Sequence, residues 1–327
     1  MSDVDPVVSY ILTTKDRAPF LRTALESLTE LVTERDELIV VDGGSSDDTM
    51  SVIADYRDLI TTSISEPDRG EAHGFNKAML LARGEFIKLV TDDDVIFPDA
   101  MREAVRALQQ HPDVDAILCG GEQYRVDGST GCEELVGYQW LPSDVTLESD
   151  PMQLFRTIQC GVGLLFRRRI IPLVGLLDTS FRTVDSDFMF RLLAGGVNFK
   201  YLNIKLYRHN DLPHSGMYVV EECQRDRLRI LARSGRWDEL MNEHTYGRDL
   251  IGAVLGVARL PHGRSAMIAI LEIERLRRSR VGWLVVPLAH TMRIIGAVGR
   301  RVMAPFRLSR RVHQFRTTEP DWDGSLR

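Results

Sequence analysis

Cysteine is scarce and scattered. The 327 residues hold four, Cys119, Cys132, Cys160 and Cys223, and no two form a C-x-x-C pair, so the sequence suggests neither a zinc site nor a redox couple. Long apolar runs are missing as well. The most apolar stretch, 281–298, contains His290 and Arg293 and is short for a bilayer crossing, a weak candidate for a membrane span. The first ten residues, MSDVDPVVSY, carry acidic side chains where a secretory signal needs a basic and then an apolar run, and the expected location is cytoplasmic. Acidic residues in turn are absent from 275–316, a stretch with eleven arginines. The net charge of −6 therefore hides two surfaces: +11 there and −2 in the residues after it, against −15 over residues 1–274. Such asymmetry points to a charged partner surface, membrane or nucleic acid.

What is present is ordinary for a folded protein. With 44% hydrophobic and 27% charged residues the chain is neither disordered nor collagen-like, and its length suggests about two domains. Through the first 120 residues short β-rich runs alternate with amphipathic helical patterns. Strands are expected at 7–13, 37–42, 60–65, 85–90 and 114–119, and helices at 19–29, 47–56, 70–82 and 98–110. That order predicts an α/β fold with a mostly parallel sheet and helices on both faces, in which ligands bind beyond the carboxyl ends of the strands. The residues to watch thus follow Thr13, Val41, Ser65 and Val90. Alternation is lost over 120–165, where Gly120-Gly121, Asp127-Gly128 and Pro142 read as turns. A helix at 185–194 and a short strand at 199–204 follow, and beyond Gly216 the pattern is helical.

Thr91-Asp92-Asp93-Asp94 follows the strand at 85–90. Adjacent carboxylates raise each other's pKa unless a cation is near, and a hard divalent ion is the usual resolution. Capping explains the triplet poorly, because Pro98 belongs at the first helical position and makes Phe97 the N-cap; a solvated acidic loop is the alternative. Asp42-Gly43-Gly44-Ser45-Ser46-Asp47-Asp48-Thr49 also follows a strand, and Ser45-x-x-Asp48 reads as a capping box for the next helix. Capping does not explain Asp42, which stays a candidate.

Taken in order, VSYILTT at 8–14, VVDGGSSDDT at 40–49, SEPDRG at 65–70 with Asn76-Lys77-Ala78, ARGEFI at 82–87 and TDDD at 91–94 with Pro98 resemble family 2 glycosyltransferases. The resemblance covers roughly residues 6–215 and implies the GT-A (nucleotide-diphospho-sugar transferase) fold, Rossmann-like, and inverting sugar transfer from a nucleoside diphosphate sugar, a UDP-sugar being favoured. It implies Mg²⁺ or Mn²⁺ on the diphosphate. Asp93 takes the metal-ligand position, with Asp94 and His209, in the Tyr207-Arg208-His209 segment, on the metal side; His214 is the second choice of histidine. Thr13, Lys15, Asp42, Asp68, Arg69 and Asp92 take nucleotide-sugar positions. Thr91 and Gly43 stand where aspartates are common in the family, which leaves the division of labour within the triplet open and puts one base or ribose contact in doubt. Asp185 in TVDSDFMFR matches the catalytic aspartate, with Val184 in place of the usual glutamate, and Trp140 falls in the acceptor region.

The expected organisation is a GT-A domain at 1–215 and a helical C-terminal region at 216–327, whose basic segment 275–316 would lie against an anionic membrane, on the inner face of the plasma membrane. The acceptor would be a glycan or lipid-linked molecule in cell-surface polysaccharide or glycolipid synthesis. No nucleic-acid-binding pattern is present. Nucleotidyl transfer and a non-catalytic nucleotide-sugar-binding scaffold are the competing readings. The former lacks its glycine in the loop Thr13-Thr14-Lys15-Asp16-Arg17.

Overall fold

The structure, a computed structural model, describes residues 5–127, 132–141, 161–181, 183–211, 226, 230 and 319–327. The chain divides into two compact units, Met1–Tyr218 with Gln314–Arg327, and Val219–His313. In the first, β1 (Val8–Thr14), β2 (Glu37–Asp42), β3 (Thr62–Ser65) and β4 (Phe86–Val90) run parallel in the order β3-β2-β1-β4. The sheet continues through β8 (Leu164–Arg167), β6 (Ala116–Val126), β9 (Phe199–Asp211) and β5 (Val95–Ile96), with β7 (Glu133–Gln139) beside β6. Strand β8 is antiparallel to both β4 and β6, and β9 is parallel to β6. Six of the nine strands among the described residues therefore share one direction, and the expected α/β, mostly parallel sheet holds.

Every residue of β1, β2 and β4 is buried, as near-continuous apolar strands of a doubly covered sheet should be. One face packs against α1 (Ala18–Leu28), α2 (Thr49–Asp55) and α4 (Pro98–Gln110), the other against α3 (Glu71–Leu81) and α6 (Val184–Ala194). A short helix, α5 (Ile171–Val174), precedes α6. In α1, Leu21, Ala24, Leu25 and Leu28 recur at helical spacing and form the buried stripe. Pro98 opens α4 after an extended Phe97, as its fixed φ and missing N–H favour.

Three local expectations need correction. Gly120-Gly121 is not a turn but the middle of β6. A Cβ at Gly120 would lie 2.4 Å from the Trp322 ring and one at Gly121 2.5 Å from the Tyr207 ring, so the glycines mark close packing on a strand. Strand β9 does not stop at 204 but runs on to Asp211, which carries His209 to the sheet edge. Ser45 does not cap α2: the N-cap position is Asp48, without a side-chain cap bond, and Ser45 turns instead to Asp42.

Residues 319–327, part of the first unit, run back along β9. Tyr201 and Arg327 exchange two 2.8 Å backbone bonds, Asn203 N–H donates to Ser325 O at 2.8 Å, and the Asn203 side-chain amide donates to Asp321 O and to the Asp323 carboxylate. Within 219–302 only Asp226 and Ile230 are described, both helical; the rest of the helices expected there, the basic segment 275–316 and His214 fall outside the described residues. Among the described residues no helix is long and apolar enough to cross a membrane.

Candidate active site

Strand register brings the predicted residues to one edge. Thr14 lies opposite Asp42, Asp42 opposite Ser65, and Leu12 opposite Val90, so the residues after β1, β2, β3 and β4 meet there. Asp42 is fully buried, and neutral groups satisfy its carboxylate. The Ser45 N–H donates to it at 3.1 Å, the Ser65 hydroxyl at 2.6 Å, and the Ser45 hydroxyl makes a further short bond. Beside it, a Cβ at Gly43 would stand 2.9 Å from the Asp68 carboxylate. Asp68, on the β3–α3 loop, is thus placed beside the Asp42 turn, and it also accepts from Gly70 N–H at 2.9 Å. Thr13 is buried, in contact range of Gly74, while Lys15 and Arg69 are exposed; the Arg69 backbone N–H donates to His73.

The acidic triplet is built differently. Asp92 accepts from the Thr14 hydroxyl at 2.8 Å and from Arg17 Nε at 2.7 Å, and Arg17 Nη2 reaches Asp93 at 2.5 Å. Asp94 is buried and receives the Thr91 hydroxyl, His209 Nδ1 at 2.7 Å and Asn210 N–H at 3.1 Å. Burial raises the pKa of Asp92, with Arg17 opposing. Burial, then the charges of Asp94 and Asp92, push Asp93 up to about 7 even with Arg17 in place. Burial works against a charge on Asp94 too, yet His209 and its other donors hold it below the ordinary carboxylate value.

Arg17 is the residue the sequence reading passed over. Its loop is tied to the β2–α2 turn on both sides: Asp16 N–H donates to the Ser45 hydroxyl, Arg17 N–H to Thr49 Oγ1 and Ala18 N–H to Asp47. The guanidinium also lies 4.6 Å from the Phe20 ring centre. A basic residue after the first strand, facing an unbalanced acidic loop after the fourth, was the available signal.

Asp185 sits in the first turn of α6, two residues past the N-cap Thr183. Gly161 N–H donates to its Oδ2 at 2.8 Å, and a Cβ on Gly161 would come within 2.6 Å of the Asp185 Cβ, so only glycine fits there. Burial raises its pKa; the Gly161 N–H and the charge of His209 oppose. Asp187 instead pairs with Arg191 at 2.8 Å along the helix, an i,i+4 ion pair. Trp140 is half-buried, just after β7.

Among the described residues no three carboxylate, imidazole or thiol side chains converge as they would around a bound ion. What the edge offers is a buried aspartate bonded to neutral groups on one side, a cluster of carboxylates paired with Arg17 and His209 on the other, and Asp185, whose pKa burial raises.

The family profile described as glycosyl transferase family 2 matches residues 9–171, which carry both acidic turns. The chain belongs to glycosyl transferase family 2. Its relatives include an uncharacterized glycosyltransferase of Rickettsia typhi, 26% identical over 58% of this chain and 59% of that protein. Another is the poly-beta-1,6-N-acetyl-D-glucosamine synthase of Staphylococcus epidermidis, 25% identical over 59% of this chain and 47% of that protein. The match thus spans about half the length of these relatives. Among solved structures, TarS 1-349 of S. aureus in complex with UDP-GlcNAc superposes with a TM-score of 0.59, covering 97% of this chain and 99% of that one at 17% identity. The shared fold is therefore the GT-A architecture of glycosyltransferases.

Proposed function

We propose that this family 2 chain transfers a glycosyl group from a nucleoside diphosphate sugar to an acceptor hydroxyl with inversion at the anomeric carbon. The observation that carries the reading is Asp185: a carboxylate of raised pKa, fixed by the Gly161 N–H and within the electrostatic reach of His209, which also binds Asp94. A general base for this reaction must take the acceptor proton as the oxygen bonds to the anomeric carbon and the bond to the diphosphate breaks. Asp185 takes that proton, and the nucleoside diphosphate leaves with the bonding pair.

Asp42, Asp68 and Thr13 hold the nucleoside side of the donor, with Lys15 and Arg69 exposed at its rim. Asp92 orients the donor sugar and ribose through its bonds to Thr14 and Arg17. The chemistry of the triplet fits a hard divalent cation, Mg²⁺ or Mn²⁺, because Asp93 stays short of positive charge although Arg17 touches it. Asp93 would hold the ion, with Asp94 and His209 as the further donors. When bound, such an ion neutralises the diphosphate leaving group.

A UDP-sugar is favoured because the fold neighbour TarS was crystallised with UDP-GlcNAc. A glycan or lipid-linked acceptor in cell-surface polysaccharide or glycolipid synthesis is supported by the likeness to the poly-N-acetylglucosamine synthase. The eleven arginines of 275–316 support a peripheral position on an anionic membrane, which liposome flotation against a chain ending at Ser265 would test. The decisive experiment screens UDP-, GDP-, dTDP- and CDP-sugars by thermal shift with Mn²⁺ and with chelator, and measures nucleotide release for wild type and D185N. One donor class should raise the midpoint only with metal. D185N should keep that shift and lose turnover; D185N with wild-type turnover would remove Asp185 as the base, and a wild type that binds a donor but releases no nucleotide with any acceptor would return the chain to a scaffold role.

A further inference from the structure

Strand β4 carries a lysine where its neighbours are apolar. In Phe86-Ile87-Lys88-Leu89-Val90 every residue is buried, and Lys88 is 0% exposed, on the same face as Phe86 and Val90 in the core. An ammonium in such a place is costly unless its protons are bonded, and a strand that only had to pack would carry valine or leucine there. Lys88 Nζ makes a short bond to Val162 O and lies 3.4 Å from Leu164 O. Both carbonyls belong to one piece of chain, the 3-10 turn Gly161–Gly163 and the first residue of β8. The residue that opens this turn, Gly161, holds Asp185 by its N–H at 2.8 Å and leaves no room for a side chain against it.

We propose that Lys88 is a positioning residue for the base: it fixes the 161–163 turn from beneath, and the turn fixes Asp185. The inference rests on the reading of Asp185 as the general base. Backbone pairing holds β8 to β4 from Leu165 to Arg167 and to β6 as far as Leu164, and neither register includes the turn itself. Lys88 adds a side-chain tie to Val162 within the turn, beyond its own paired residue Leu165. A base displaced by about 1 Å loses on the order of 100-fold in rate, so a tie of this kind has kinetic consequences without touching substrate.

The test uses the full chain with its donor, Mn²⁺ and acceptor, and compares wild type, D185N, K88M and K88Q. K88M removes the ammonium at nearly equal volume. Its kcat should fall about 10- to 100-fold while the donor KM changes less than about twofold. The acid limb of its kcat profile should move to higher pH, because a loosened turn withdraws the Gly161 N–H that stabilises the Asp185 anion; His209 of β9, the charged group acting on Asp185 from another element, is untouched. K88Q, which retains an N–H donor of shorter reach, should fall between. Turnover in D185N would refute the base reading whatever Lys88 does. With D185N inactive, a folded K88M with wild-type kcat and acid limb overturns the proposal, and so does one that changes only the donor KM. If K88M fails to fold, K88Q is read in its place; if neither folds, Lys88 serves sheet stability alone and the proposal falls.

Discussion

Two acidic turns stand at the carboxyl edge of one sheet, one on either side of β1, and they solve the problem of buried charge in opposite ways. The turn after β2 surrounds Asp42 with hydroxyls and an N–H from its own loop and from Ser65. The turn after β4 crowds three carboxylates together and borrows Arg17 and His209 from distant chain to balance them. The first is complete as folded. In the second, Asp93 is pushed up to about 7 and is left short of positive charge. Under the proposed function the difference separates recognition from chemistry: the neutral, rigid turn would hold the nucleoside, and the turn that gains from added charge would hold a cation-bearing diphosphate.

The largest expected effect tests the chemical side. D185N should lower turnover by about 10²- to 10⁴-fold with donor binding retained, measured by nucleotide release and donor titration. In the wild type the acid limb of kcat should lie above the ordinary carboxylate range, since burial raises the Asp185 pKa and only the ionised form accepts the proton. Next comes the borrowed cation. R17Q strands Asp92 and Asp93 and should cost on the order of 3 kcal/mol in denaturant unfolding with chelator present, part of it recovered with Mn²⁺. A variant as stable as wild type under chelator would remove the contrast between the turns.

Smaller effects sharpen the same contrast. D42N should destabilise by about 1–3 kcal/mol, because an amide cannot accept from all its donors. D93N should be neutral or stabilising above pH 7 in the absence of metal. The sign for Asp93 follows from its raised pKa: the folded form keeps a proton that the unfolded chain has lost, so its contribution is present near pH 4 and lost as pH rises through about 7. D93N should remove that part of the slope in a pH series of melting curves. Last, deletion of 319–327 should lower stability by about 2 kcal/mol, the loss of a few backbone bonds and of Trp322 packing.

The parallel half of the fold was legible because its strands are short apolar runs that end in polar turns, and α4 was placed to the residue by Pro98. The antiparallel half was not. In β6 the glycines that let Trp322 and Tyr207 approach look like a turn in sequence, and β8 is four residues long. Asp42, Asp93 and Asp185 were legible as acidic residues just past strands or at a helix start. Arg17 and Lys88 were not, because each acts through a partner more than seventy residues away, Asp92 in one case and Val162 in the other, and nothing local marks the pair. Gly161 was missed too, since its partner Asp185 lies 24 residues on and nothing local marks the pair.

The return of residues 319–327 to β9 also sets an order of events during synthesis. Asn203 waits for Asp321 and Asp323, 118 and 120 positions later, so the ribosome must make all of 219–313 before that edge of β9 is covered. Until then the catalytic unit carries an open strand edge, the kind of surface on which nascent chains pair wrongly. A stalled or truncated chain would therefore be exposed to aggregation at β9 even though every residue of its candidate active site had already been made.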